Sequence, residues 1–253
     1  MNFLDFLNEN SYKNNISLED SAILYLKEYN FLSIDSCIWR GMRDTAPSLI
    51  LQGNAGTRNY TGNNNNIHNV ILNYDIMKNK YNYPLRSKCI IGITNSGKEY
   101  TKDFGPERYA IFPINYATIG VCKQSDILFT DTKHGLNIST IANMTLEFIY
   151  NNSYIKNKSF IELKTDLEKS LKNKDTSSNL GKQIKDIYGD NIEKSLLEIF
   201  GVDQYKFVKP NDKIFHDNRR HEIWVGEKCL AIHESKIREF ENIIKEKEVN
   251  WPL

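Results

Sequence analysis

Three short islands carry the side chains best suited to chemistry: C-I-W-R-G at 37–41, R-S-K-C-I-I-G-I-T-N-S at 86–96 and R-R-H-E-I-W-V at 219–225. Each sets a polar residue, Arg40, Thr94 or Glu222, at the border of a short apolar run with strand character. A cationic clamp, a hydroxyl and one acid suit chemistry on a phosphate-bearing substrate with a cationic leaving group. A nicotinamide dinucleotide is the reagent of that kind worth testing. Strand-edge polar residues are also common in ordinary sheets, and three of them need not meet in space.

The physical case is made residue by residue. Arg40 presents a rigid donor fork that matches pyrophosphate oxygens, a geometry that lysine does not reproduce. Its plain structural role is to cap a sheet edge through an ion pair. Thr94 could fix a ribose or the strand that hosts the ring, although β propensity alone accounts for a threonine there. Glu222 is the strongest candidate. Cleaving the bond between ribose C1′ and nicotinamide develops positive charge on the sugar, as in glycoside chemistry. A fixed carboxylate holding the 2′-hydroxyl favours that state over the substrate, which is the condition for catalysis. The alternative is a strand-edge glutamate paired with Arg219, Arg220 or Lys228. Trp39 and Trp224 read as packing beneath the polar residues, and His221 as a solvent-facing histidine. Arg86 and Ser87 either orient the central strand or touch phosphate.

These side chains need elements to position them. Ser17 is a helix cap, followed by an inward stripe of Ala22, Ile23, Leu26 and Tyr29. Ile34 to Trp39 reads as a strand. Residues 43–66 carry Pro47, Gly53, Gly56, Gly62 and the run Asn63 to Asn66, which is loop chemistry of unusual length, either a substrate lid or a disordered stretch. The spacing of Ile67, Val70, Ile71, Tyr74 and Met77 predicts a helix to about Tyr81. Cys89–Thr94 and Tyr109–Ile114 read as strands, the latter stopped or edged by Pro113. A further short strand falls within 120–129, and helices within 136–154, 159–172 and 180–200. Glu222 to Ile232 is one strand or a tight hairpin around Gly226. A charged helix with Ile237, Phe240 and Ile244 inward closes the chain. Strands on either side of a helical middle give a mixed α/β (α+β) fold without regular β-α-β units.

With 253 residues, one domain is the first expectation. It spans 1–253, with a helical insertion or subregion around 136–200. Lys plus Arg total 33 against 32 for Asp plus Glu, so net charge gives no long-range argument for nucleic acid or an anionic membrane. Cys37, Cys89, Cys122 and Cys229 are widely spaced with no CxxC, and His68 and His134 share no ligand spacing, so no metal is expected. Thiol usage of this kind fits a reducing cytoplasm. The start, M-N-F-L-D-F-L-N-E-N, lacks the basic opening and apolar run of a secretion signal, and no stretch is long enough to span a membrane. Neither a G-x-G-x-x-G nor a G-x-x-x-x-G-K is read in the chain, so neither dinucleotide-fold nor P-loop binding is expected.

In order and spacing, W-R-G, I-T-N-S and H-E-I-W resemble the mono-ADP-ribosyltransferase superfamily, in particular the arginine–serine–glutamate class of bacterial toxins and phage-borne enzymes. The resemblance covers roughly residues 34–232. It implies a split β-sheet core with flanking helices and NAD as co-substrate. It implies Glu222 as the catalytic acid, with Arg40, Gly41, Arg86, Thr94 and Ser96 on the cofactor side. The Y-A-I-F-P-I segment with downstream Ser125 and Asp126 is also similar to phage members. The family's hydroxyl motif is Ser-Thr-Ser, whereas this chain has Thr94-Asn95-Ser96. Members that modify arginine often carry a second glutamate two residues before the catalytic one, where Arg220 stands here. The implied acceptor is a macromolecule, a host protein before a nucleic acid, in the cytoplasm or in that of a host. NAD hydrolysis without transfer, or a non-enzymatic host-protein binding or inhibitor module, are the alternatives.

Overall fold

The computed structural model describes residues 13–53, 89–103, 105–122, 131–151, 158–200, 205–207, 213–216 and 219–250. The chain divides into two compact units, one helical between Asp131 and Phe200 and one built on a sheet. Together they give a mixed α/β fold with an antiparallel sheet and flanking helices.

Among the described residues nine strands form one sheet: β1 (Lys13–Asn15), β2 (Ile38–Met42), β3 (Ser48–Gln52), β4 (Ile90–Ile93), β5 (Glu107–Pro113), β6 (Ile119–Cys122), β7 (Tyr205–Phe207), β8 (Glu222–Val225) and β9 (Lys228–His233). Their spatial order is β1-β3-β9-β5-β2-β4-β8-β6-β7. Every pairing whose register is described is antiparallel.

Period-2 alternation divides the strand residues between two faces. Ile38, Met42, Ile90, Tyr109, Ile111, Val121, Ile223 and Val225 belong to one apolar cluster. Trp39, Ile93, Ala110, Phe112, Leu230 and Ile232 belong to the other, which helices α1 (Leu18–Leu24) and α6 (Ile237–Asn250) cover through Leu18, Ala22, Phe240 and Ile244. Each Val, Leu, Ile, Phe or Met among them taken fully from water contributes about 1.5–3 kcal/mol, an upper figure because unfolded chains are partly collapsed.

Ser17 caps α1 as expected, its hydroxyl oxygen accepting from the Asp20 N–H at 3.0 Å. The buried stripe is Ala22, Tyr25 and Tyr29, with Ile23 and Leu26 only half-buried. A π-helical turn over Tyr25–Tyr29 continues α1 and puts more residues in each turn, which rotates the stripe. The strand expected at 34–39 begins later. Ile34–Ser36 form a 3₁₀ turn closed by the Ser36 N–H on the Ser33 carbonyl, so Arg40 sits inside β2 and not at its border.

Two expectations are corrected. The stretch read as loop from 43 contains β3, a strand in the body of the sheet between β1 and β9, with Leu49 and Leu51 fully buried. Turn residues on either side hid a three-residue apolar run, Leu49–Leu51, inside a five-residue strand. Residues 54–66, and the helix expected from Ile67 to about Tyr81, lie outside the described residues. Glu222 to Ile232 is neither one strand nor a hairpin: β8 pairs with β4 and β6, whereas β9 pairs with β3 and β5.

The helical unit has α2 (Ile138–Tyr150), α3 (Phe160–Asn173), α4 (Asn179–Tyr188) and α5 (Ile192–Phe200). Ser159 and Glu162 form a reciprocal capping box on α3. Gly189, at φ +54°, ends α4, so the segment expected as one helix over 180–200 is two. The Thr145 and Tyr188 hydroxyls meet at 2.6 Å in the buried interior of the unit.

Candidate functional site

The strands that carry the three islands are consecutive in the sheet: β2, β4 and β8. Ile93 faces Glu222 across the β4–β8 ladder, and Trp39 faces Ile93 across the β2–β4 ladder. The β2–β4 ladder has a single described pair, against five between β2 and β5. The motif strands therefore meet at a short seam.

Thr94 ties this seam to the segment that enters β8. Its N–H donates to the His221 carbonyl at 3.0 Å, and its hydroxyl oxygen accepts from the His221 N–H at 3.1 Å. The same hydroxyl donates to the Arg219 carbonyl at 3.2 Å. At 1% exposure Thr94 is a cross-strand clamp, and it sits immediately before Glu222 in space.

His221 is buried, not solvent-facing, and its Nδ1 lies 3.0 Å from the Cys122 carbonyl. A carbonyl only accepts, so Nδ1 carries the proton in this bond. The contact joins β6 to the start of β8 on the side away from Glu222.

Glu222 is buried, and the Trp224 indole N–H donates to its Oε1. The two lie two residues apart in one strand, so they share a face. Trp224 is 1% exposed and Trp39 is 4% exposed, so both are enclosed by the fold.

Arg40 is 5% exposed, and its guanidinium Nη1 donates to the Ile91 carbonyl of the neighbouring strand. It alternates with Ile38 and Met42 and so shares the face that holds Ile223 and Val225. Glu222 takes the opposite face, that of its ladder partner Ile93. The structure thus brings the three strands together and joins Thr94 to the glutamate segment. The pleat does not direct the Arg40 and Glu222 side chains into one space.

Gly41 has a packing reason to be glycine. A Cβ there would stand 2.0 Å from the Thr101 carbonyl oxygen and 2.8 Å from the Gly105 nitrogen. The 3₁₀ run Asn95–Asp103 crosses β2 at this point. Ser96 lies in that run, and its side chain is outside the described residues, as are Arg86, Ser87, Ser125 and Asp126.

The expected absence of a G-x-x-x-x-G-K is corrected by residues of β4 and the 3₁₀ run that follows it. Residues 92–98 read G-I-T-N-S-G-K, the spacing of a phosphate loop, with Glu99 where that motif needs Ser or Thr. The context is different from a phosphate loop. Gly92 lies inside an antiparallel strand, and the Lys98 ammonium sits 3.9 Å over the Trp39 ring and 2.6 Å from a Glu234 oxygen.

Charge at the neighbouring sheet end is networked. Arg108 donates to Glu234 and, at 2.8 Å, to Glu99. Burial alone would raise the Glu234 carboxyl, but hydrogen bonds and charge from Lys98 and Arg108 outweigh it and hold the group below the usual glutamate value. Burial pushes the Cys37 thiol up to about 12. All four cysteines are buried. No helix among the described residues is long and apolar enough to cross a membrane.

No protein-family model, curated protein or solved structure matches this chain.

Proposed function

We propose that this protein is an NAD-dependent mono-ADP-ribosyltransferase acting on a macromolecular acceptor, a protein before a nucleic acid. The observation that carries the reading is the sheet order, in which the strands bearing Arg40, Thr94 and Glu222 stand side by side although far apart in sequence. In the proposed step the bond from ribose C1′ to the nicotinamide nitrogen breaks, and its electron pair leaves with nicotinamide. An acceptor nucleophile then bonds to C1′ and releases its proton. Glu222 is the negative group that favours the ribosyl cation, and the Trp224 indole fixes its orientation. Thr94 positions the glutamate segment. Arg40 braces β4 through the Ile91 carbonyl and acts on the site through the backbone.

A specific observation favours a second reading, a non-enzymatic binding module. Arg40 and Glu222 project to opposite faces and each has a partner within the fold. Incubating lysate and protein with NAD labelled in the ADP-ribose moiety separates the readings. Transfer predicts nicotinamide release with label on large species that protease, not nuclease, reduces in size. Hydrolysis leaves all label as free ADP-ribose. Absence of nicotinamide release eliminates both enzymatic readings and leaves the binding module. In the transferase case Glu222→Gln lowers turnover at least about a hundredfold, roughly 2.7 kcal/mol of transition-state stabilisation, with the fold intact. Near-normal transfer by that variant would remove Glu222 from its role.

A further inference from the structure

Three cations at the 3₁₀ run Asn95–Asp103 are held in two ways. Arg108 and Lys98 are paired with the carboxylates of Glu99 and Glu234. Arg220 is held on an aromatic ring instead, its guanidinium carbon 3.7 Å from the Tyr100 centroid. Among the described residues no carboxylate forms an ion pair with Arg220. A ring quadrupole attracts a cation without cancelling its net charge, so this positive charge stays available to an anion.

Position makes that charge useful. Arg220 stands two residues before Glu222, and the Thr94–His221 bonds fix the chain between them. Tyr100 belongs to the 3₁₀ run that follows Thr94, and it is 53% exposed while Arg220 is half-buried. The pair thus joins the same two segments that Thr94 joins, on their solvent side. A guanidinium backed by a ring matches phosphate oxygens, and the exposed tyrosine offers a stacking surface to a base. Arg40, enclosed and bonded to a backbone carbonyl, presents neither feature.

The geometry points to Tyr100 and Arg220 as a recognition site for a nucleotide, with Arg220 taking the phosphate and Tyr100 backing the guanidinium and meeting the base. The identification of that nucleotide as NAD rests on the transferase reading; the site itself does not. Titration calorimetry on the full chain with ADP and with adenosine tests it. Wild type should bind ADP at least about tenfold more tightly than adenosine, the scale of one charge-assisted contact. Arg220→Gln should lose that preference at unchanged melting temperature, Arg220→Lys should keep part of it, and Tyr100→Leu should weaken both ligands. No ADP binding by wild type, equal binding of ADP and adenosine, or wild-type ADP affinity in folded Arg220→Gln each overturns the site. If Arg220→Gln does not fold, Arg220→Lys decides: a reduced ADP preference supports the site, and wild-type ADP affinity overturns it. The two readings fail separately. Arg220-dependent ADP binding without nicotinamide release removes the transferase and keeps the site. Glu222-dependent turnover with ADP binding indifferent to Arg220 does the reverse.

Discussion

Arg40 and Thr94 have the chemistry of ligand-binding side chains, and each has a job in the fold. Thr94 is an acceptor and a donor at once, so its hydroxyl cannot be removed without leaving the His221 N–H and the Arg219 carbonyl short of a partner. Thr94→Val, nearly isosteric, should cost about 1–3 kcal/mol in urea unfolding, and Thr94→Ser well under half of that. Equal stability of the two variants would show that the hydroxyl clamps nothing. Arg40→Lys tests the other residue. A lysine cannot reproduce the planar fork that reaches the Ile91 carbonyl, so a loss of about 1–3 kcal/mol is expected. Unchanged stability with weakened NAD binding would return Arg40 to the phosphate.

Among the elements, the seam between β2 and β4 is where the motif strands meet, and the 3₁₀ run Asn95–Asp103 crosses β2 beside it. Runs of this geometry longer than three or four residues are uncommon because their hydrogen bonds are poorly aligned. This one is held by close approach, with the Thr101 carbonyl lying where a side chain on Gly41 would stand. Gly41→Ala must push that backbone away. We expect a loss of at least about 2 kcal/mol in chemical denaturation, together with weakening of the Tyr100–Arg220 contact, read as a change in tyrosine fluorescence. A variant as stable as wild type would mean the run yields freely. The end of β8 differs in kind from a hairpin: Gly226 and Glu227 carry the chain to strands on the other side of β5. For that reason β8 and β9 contact different neighbours.

For the molecule as a whole, pH dependence follows from the Glu234 network. The Glu234 carboxyl is held below its usual value near 4.5 in the folded state, so its stabilising effect is present above that value. It is lost as pH falls through the depressed folded value. Melting temperature should therefore drop on acidification below about pH 4.5, and Glu234→Gln should flatten that limb while lowering stability at neutral pH. An identical acid limb in the variant would place the acid sensitivity elsewhere. The four buried thiols, with Cys37 pushed up to about 12, should resist a thiol reagent at pH 8 until the protein is unfolded. Rapid labelling of the native chain would contradict that burial.

Alternating or continuous apolar runs were enough to find β4, β5 and β6, a cap with a 3.6-residue stripe was enough to find α1, and stripes alone were enough for α3 and α6, because these signals are local. The order of the three islands along the chain was equally plain in the sequence. β3 was not legible, since three apolar residues, Leu49, Ile50 and Leu51, between Pro47 and Gly53 are too few to outweigh their turn-forming surroundings. Neither was the separation of β8 from β9, which depends on which strands pair and not on the two strands themselves. The largest gap lies at the candidate site. Spacing put a polar residue on each of three strands and could not say which way each would point. A shift of one residue in register turns a side chain to the other face. Register is decided by burial across the whole sheet, so only the tertiary structure could put Arg40 and Glu222 on opposite faces and bring Arg220 onto Tyr100.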